Sequence, residues 1–203
     1  MPKVFFQIGT NNGNDQFNKL VRAHKPDIVI LVEPNTNLLS EIQSNYKGVS
    51  NLFIYSNAIY YRDDELVELC IPSKRGYGDA HFSLVPMNDW GDELLKIQTK
   101  SITFDTICKE HNISEIDYLQ IDTEGFDSEI IKMIDLSSYH IRVIRFEKWG
   151  FDPSCFTRHN QEIASELGHN GMALSIQKLK NHKYTIRDIN DCDGADFIAI
   201  LED

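Results

Sequence analysis

The 203-residue chain is short of cysteine, of basic residues and of long apolar runs, and each shortage excludes a class of protein. Its four cysteines, Cys70, Cys108, Cys155 and Cys192, are widely spaced and form no Cys-x-x-Cys. That spacing suggests neither a zinc site nor a disulfide framework. The seven histidines include no His-x-x-x-His pair, so no metal site is expected. Lys and Arg number 20 against 31 Asp and Glu, a formal net charge of −11. A surface of that sign repels phosphate backbones, so no nucleic-acid partner is expected. The loose basic run Lys178, Lys180, Lys183 and Arg187 reads as a solvated helix end or loop. No apolar run exceeds strand length, which argues against a membrane span. A strand begins almost at once, so no targeting segment is expected and a reducing cytoplasm is the simplest home.

What remains is an ordinary globular composition, 41% hydrophobic and 25% charged, in a length suited to a single domain over 1–203. Strand and helix signals alternate from start to end. Apolar, β-branched runs at 4–8, 27–32, 52–59, 116–121 and 141–146 read as strands, and 65–71 as a half-exposed one. Helical spacing marks 14–24, 36–46, 105–111 (with Asp105 as its cap), 128–134 and 161–167. Residues 101–104 read as extended, and 172–178 and 197–201 as two closing strands. The Gly- and Pro-bearing stretch 72–91 reads as a long loop over a functional face. This alternation implies an α/β fold, a mostly parallel sheet with helices on both faces and an antiparallel C-terminal strand.

In such sheets a ligand binds beyond the carboxyl ends of the strands, where strand order switches. Gly9-Thr10-Asn11-Asn12-Gly13 follows the first strand, and its glycines let the backbone approach a ligand. It is not Gly-x-Gly-x-x-Gly, which weakens a nicotinamide reading. Glu33-Pro34 follows the second strand, twenty residues beyond Gly13, where an acid can accept hydrogen bonds from ribose hydroxyls. Asn57-Ala58 follows the third and suits an adenine edge, or a plain turn. Asp122-Thr123-Glu124-Gly125 follows the fourth and Glu147 the fifth. Adjacent carboxylates repel unless they bind donors or a cation, or cap the next helix.

In this order, the pieces resemble the FkbM family of methyltransferases over 4–149. The most specific stretch, Ile116-Asp117-Tyr118-Leu119-Gln120-Ile121-Asp122-Thr123-Glu124-Gly125, is similar to the family's Asp-x-Leu-Lys-Ile-Asp-x-Glu-Gly signature. Gln120 stands where the family usually has lysine, and Thr10 where alanine is common. The resemblance implies a Rossmann-like methyltransferase fold, S-adenosylmethionine as cofactor, and methyl transfer, usually to a hydroxyl of a sugar or other small molecule. It also implies that Gly9, Thr10, Asn11 and Gly13 approach the cofactor, that Glu33-Pro34 holds its ribose, and that Asn57-Ala58 lies near its adenine. Asp122 is then suited to the methionine ammonium. Proton removal from an acceptor needs a base, for which His81, Asp122, Glu124 and Glu147 are the candidates, and His81 in the long loop has a pKa suited to neutrality. The competing readings are a nicotinamide-dependent oxidoreductase and a non-catalytic nucleoside-binding module on the same sheet. Nothing in the sequence sets an oligomeric state.

Overall fold

Near-continuous apolar sequence places β1 (Val4–Ile8) and β2 (Ile28–Val32) inside the sheet, away from its edges, where both faces are covered. The computed structural model describes residues 1–73, 82–86, 93–148, 162, 164–191 and 194–202. Its main sheet adds β3 (Leu52–Tyr55), β8 (Tyr118–Ile121), β10 (Val143–Glu147), β11 (Tyr184–Asp191) and β12 (Gly194–Leu201). The order is β11-β12-β10-β8-β1-β2-β3, and β12 alone runs antiparallel to the rest. Strand order therefore switches between β1 and β8, which puts the crevice there.

Alternate residues of each strand feed two cores. Phe5, Val29 and Leu31 meet Phe17, Val21 and Ile42 of α1 (Gln16–His24) and α2 (Leu39–Asn45). Phe6, Ile8, Ile30 and Leu119 face the other way, toward α3 (Phe104–Glu110), α4 (Asp127–Met133) and α5 (Gly171–Asn181). Helices thus cover both faces. Asp15 caps α1 by accepting from the Asn18 N–H at 2.9 Å. Lys178 on α5 donates to the carbonyls of Ile131, Lys132 and Ile134, at 3.0, 2.7 and 2.6 Å, and so closes the C-terminal turn of α4.

Several boundaries differ from the sequence reading, for local reasons. The strand expected at 52–59 is broken at Ser56-Asn57: β3 stays in the main sheet, while β4 (Ala58–Ile59) joins a small sheet with β5 (Leu66–Pro72) and β6 (Leu94–Ile102). The strands expected at 116–121 and 141–146 each shed a short first piece, β7 (Glu115–Ile116) and β9 (His140–Ile141), which pair with each other. Thr103, not Asp105, caps α3, its hydroxyl accepting from the Thr106 N–H at 3.0 Å. Asp105 instead takes the Tyr139 hydroxyl at 2.6 Å. Residues 172–178 are helical within α5, not a strand, and the closing hairpin is β11–β12. Before α5 lies a π-helical turn, Ala164–Asn170, in place of the helix end expected near Gly168. Within the stretch 72–91, Ser83 bridges to Cys70 on β5, and residues 74–81 and 87–91 lie outside the described residues. No described helix is long and apolar enough to cross a membrane.

Candidate functional site

The crevice at the strand-order switch is built by two loops in close contact. Gly9 takes a φ of +82°, and its N–H donates to the Val32 carbonyl at 2.9 Å. A Cβ on Gly9 would lie 1.7 Å from the Asp122 carbonyl oxygen, so this approach needs glycine. Gly13, at φ +75°, turns against the Tyr46 ring, 2.8 Å from where its own Cβ would be. Beyond β8, Glu124 and Gly125 both take left-handed φ, +54° and +104°, and curl the acid loop back over the sheet end. A non-glycine residue held there carries backbone strain, and such strain concentrates at functional sites.

A cleft opens between these loops and the small sheet. Gly9, Asn11, Glu33, Pro34, Asn57, Ala58, Asp122 and Glu124 all line it. Thr10 and Gly13 do not: Thr10 is buried against the Val32 carbonyl and Gly13 shapes the turn behind. Glu147 is not on the lining either, but neighbours Asp122 and Glu124 closely enough to feel their charge. His81 lies outside the described residues. The cleft also has an apolar floor, Ile59, Leu69, Phe82, Leu84 and Phe126, of which the strand-end motifs gave no sign. Leu69 and the Phe82–Leu84 segment arrive from the small sheet, whose position no spacing announces.

The electrostatics divide the cleft into two ends. Glu33 is 6% exposed, and its two carboxylate oxygens accept the Asn11 and Asn35 N–H groups at 2.7 and 2.8 Å. Burial outweighs those bonds and raises its pKa to about 7. Each oxygen keeps a second lone pair for a hydroxyl donor. At the other end, Asp122 is open to solvent along the cleft wall while sitting deep among protein atoms, and that crowding, with the nearby Glu124 charge, pushes its pKa well up. Burial and the charges of Asp122, Glu124 and Asp127 push Glu147 up to about 11. Glu147 Oε2 is buried and meets no hydrogen-bond donor among the described residues. Among the described residues, no cluster of three His, Cys, Asp or Glu is arranged to hold a metal ion.

Beneath the acids runs a buried polar row in strand register: Gln7 on β1, Gln120 on β8 and Arg145 on β10. Gln7 Nε2 donates to Asp15 at 2.5 Å, and Arg145 Nε to Asp196 at 2.5 Å. The positive charge missing at Gln120 is thus present one strand over, on Arg145.

A pinned carboxylate, an apolar floor beside Asn57 and Ala58, a close backbone turn and an acidic far end thus meet in one cleft. The model of the FkbM methyltransferase domain matches residues 7–174, and the chain belongs to that family. It is an S-adenosylmethionine-dependent methyltransferase. The fold is similar to that of a methyltransferase from Podospora anserina bound to S-adenosylhomocysteine, at 13% identity, covering all of this chain and 73% of that one, with a TM-score of 0.53. It is also similar to an O-methyltransferase from Bacillus cereus in complex with S-adenosylhomocysteine, at 11% identity, 99% and 74% coverage and a TM-score of 0.52. A putative caffeoyl-CoA O-methyltransferase from Staphylococcus aureus compares at 12% identity, 98% and 76% coverage and a TM-score of 0.50. No curated protein matches the chain in sequence.

The residues present fit the cofactor. The Gly9 turn leaves backbone room, Glu33 has lone pairs that would accept ribose hydroxyls, the Ile59–Leu69–Phe82 floor would take the adenine, and Asp122 and Glu124 would face the ammonium end. The raised pKa of Glu33 has a measurable consequence. The ionised form accepts ribose hydroxyls best, so the complex favours proton loss. Affinity for S-adenosylhomocysteine is therefore expected to fall as pH drops from about 7.5 to 5.5, by up to tenfold per unit. Glu33→Gln should flatten that slope in calorimetric titrations. The free protein runs the opposite way: a raised carboxyl stabilises the fold below its folded pKa and loses that contribution as pH climbs through 7.

Proposed function

We propose that the protein transfers a methyl group from S-adenosylmethionine to a hydroxyl oxygen of a sugar or another small molecule. The observation that carries this is the convergence of Gly9, Glu33, Asn57, Ala58, Asp122 and Glu124 on one cleft with an acidic end. On this reading Asn57 and Ala58 would face the adenine, Glu33 the ribose, and Asp122 and Glu124 the amino-acid tail. The net charge of −11 speaks for an acceptor that is not a nucleic acid. The bound cofactor supplies an electrophilic methyl carbon. The chain's part is to align the acceptor oxygen with it and to remove the hydroxyl proton.

The acids differ in fitness for that proton. Burial and the neighbouring acid charges push the Glu147 carboxyl up to about 11, and it stands off the cleft lining, so it is poorly suited to be the base. Asp122 is raised too, and serves better to orient the cofactor's ammonium. Of the two remaining candidates, His81 and Glu124, the histidine is the residue type suited to proton transfer near neutrality and is the proposed base. His81→Ala should lower turnover by about 100-fold or more while leaving S-adenosylhomocysteine affinity nearly unchanged. Equal loss of both would remove the assignment.

The direct test is release of S-adenosylhomocysteine when the protein meets S-adenosylmethionine and a panel of sugars. Isotope-labelled methyl should be found on oxygen in the product. A methyl on nitrogen or carbon, or a nicotinamide dinucleotide that stabilises the protein more than S-adenosylhomocysteine does, would overturn the reading.

A further inference from the structure

We propose that Asp127 is a positioning residue whose single carboxylate holds the acid loop 122–125 and the end of β10 at a fixed separation, and so fixes where the acceptor meets the cofactor's methyl group. The proposal rests on the methyl-transfer reading of this cleft.

The ladder between β8 and β10 ends at Ile121 and Phe146. Beyond that last rung the two acid-bearing segments, 122–125 and Glu147, have no backbone pairing to each other to set their spacing. Asp127 stands in that gap, 1% exposed. Its Oδ2 accepts the Thr123 hydroxyl at 2.8 Å and the Thr123 N–H at 3.3 Å, and its Oδ1 accepts the Glu147 N–H at 3.3 Å. One oxygen serves each segment, so the carboxylate carries the cross-link one step past the sheet. The left-handed pair Glu124 and Gly125 makes this possible, because it turns the chain back until residue 127 faces residue 123.

Asp127 itself is rigidly mounted. It opens α4, and the next residue, Ser128, is clamped from α5: the Ser175 hydroxyl donates to the Ser128 carbonyl at 3.3 Å, and Ser128 donates to the Leu167 carbonyl at 3.3 Å. Gly171 packs so closely that a Cβ there would lie 2.7 Å from the Ser128 hydroxyl. Movement of the two acid-bearing segments relative to each other therefore has to break bonds at Asp127. Asparagine keeps the shape but offers one acceptor oxygen, so one of the two segments would face an N–H with an N–H.

The test reads the methyl group directly. S-adenosylmethionine labelled with ¹³C at the methyl is titrated into the wild type, Asp127→Asn and Thr123→Val, and the bound methyl resonance is recorded. Affinity for 5′-methylthioadenosine, which lacks the amino-acid tail, is measured alongside. In Asp127→Asn the methyl resonance is expected to move from its wild-type bound position toward the free one. Its 5′-methylthioadenosine affinity should stay within about twofold, since the adenosine end is untouched. An unmoved methyl resonance would overturn the proposal, as would an equal loss of affinity for both ligands. Should Asp127→Asn not fold, Thr123→Val decides: it removes one of the bonds and should move the resonance in the same direction, and no movement overturns the proposal. A wild type that binds neither ligand overturns the cofactor reading and this inference together.

Discussion

Gly9→Ala is expected to abolish binding of S-adenosylhomocysteine and to lower unfolding free energy by about 3 kcal/mol or more. The added Cβ would lie 1.7 Å from the Asp122 carbonyl oxygen and 2.7 Å from its carbon, both backbone atoms that cannot swing aside. The left-handed φ of +82° adds conformational strain. Gly48→Ala separates the two costs, because Gly48 has nearly the same φ, +85°, with nothing within 4 Å of the built Cβ. It should cost only about 1–2 kcal/mol and leave cofactor binding intact. Urea unfolding and calorimetry of both variants give the comparison. Equal destabilisation by the two would show that the β1 and β8 loops do not press together as described.

Arg145→Met is expected to destabilise the protein by about 3–5 kcal/mol. Arg145 is 3% exposed and Asp196 8%, and their contact of 2.5 Å crosses from β10 to β12. Removing the guanidinium leaves a buried carboxylate without that partner, beside the acids Asp122 and Glu147 whose pKa values Asp196 already raises. The double variant Arg145→Met with Asp196→Leu removes both charges and should recover most of the loss, since a buried ion pair replaced by apolar groups is close to neutral. A double variant no more stable than the single one would mean that Arg145 acts on another group. Methionine also leaves Gln7, Gln120 and residue 145 as a row with no charge.

The central strands were legible because burial on both faces leaves nearly unbroken apolar runs, as in β1 and β2. Residues 172–178 misled for the complementary reason. Met172, Leu174 and Ile176 alternate with Ala173, Ser175 and Gln177, which mimics a strand. The face that α5 buries is instead Gly171, Ser175 and Leu179, four apart, and two of the three are small residues chosen for close approach rather than hydrophobicity. β11 was missed because its Arg187, Asp188, Asn190 and Asp191 read as loop, although the strand lies at the sheet's edge where polar residues are tolerated. At the site, acids directly after strands could be read from order alone. Asp127 could not: its importance depends on where a hydrogen-bond ladder stops, which no residue spacing encodes.

Ser83 links the small sheet to the acid loop. Its Oγ lies 2.7 Å from the Glu124 carbonyl and 3.2 Å from that of Thr123, and accepts the Val85 N–H at 2.9 Å. This hydroxyl acts together with the Tyr61–Glu129 hydrogen bond and the stacking of Tyr60 on Phe126 to tie the cleft's two walls. Exchange of this serine for alanine would loosen the 82–85 segment from the acid loop, and with it the Phe82 and Leu84 side chains of the cleft floor.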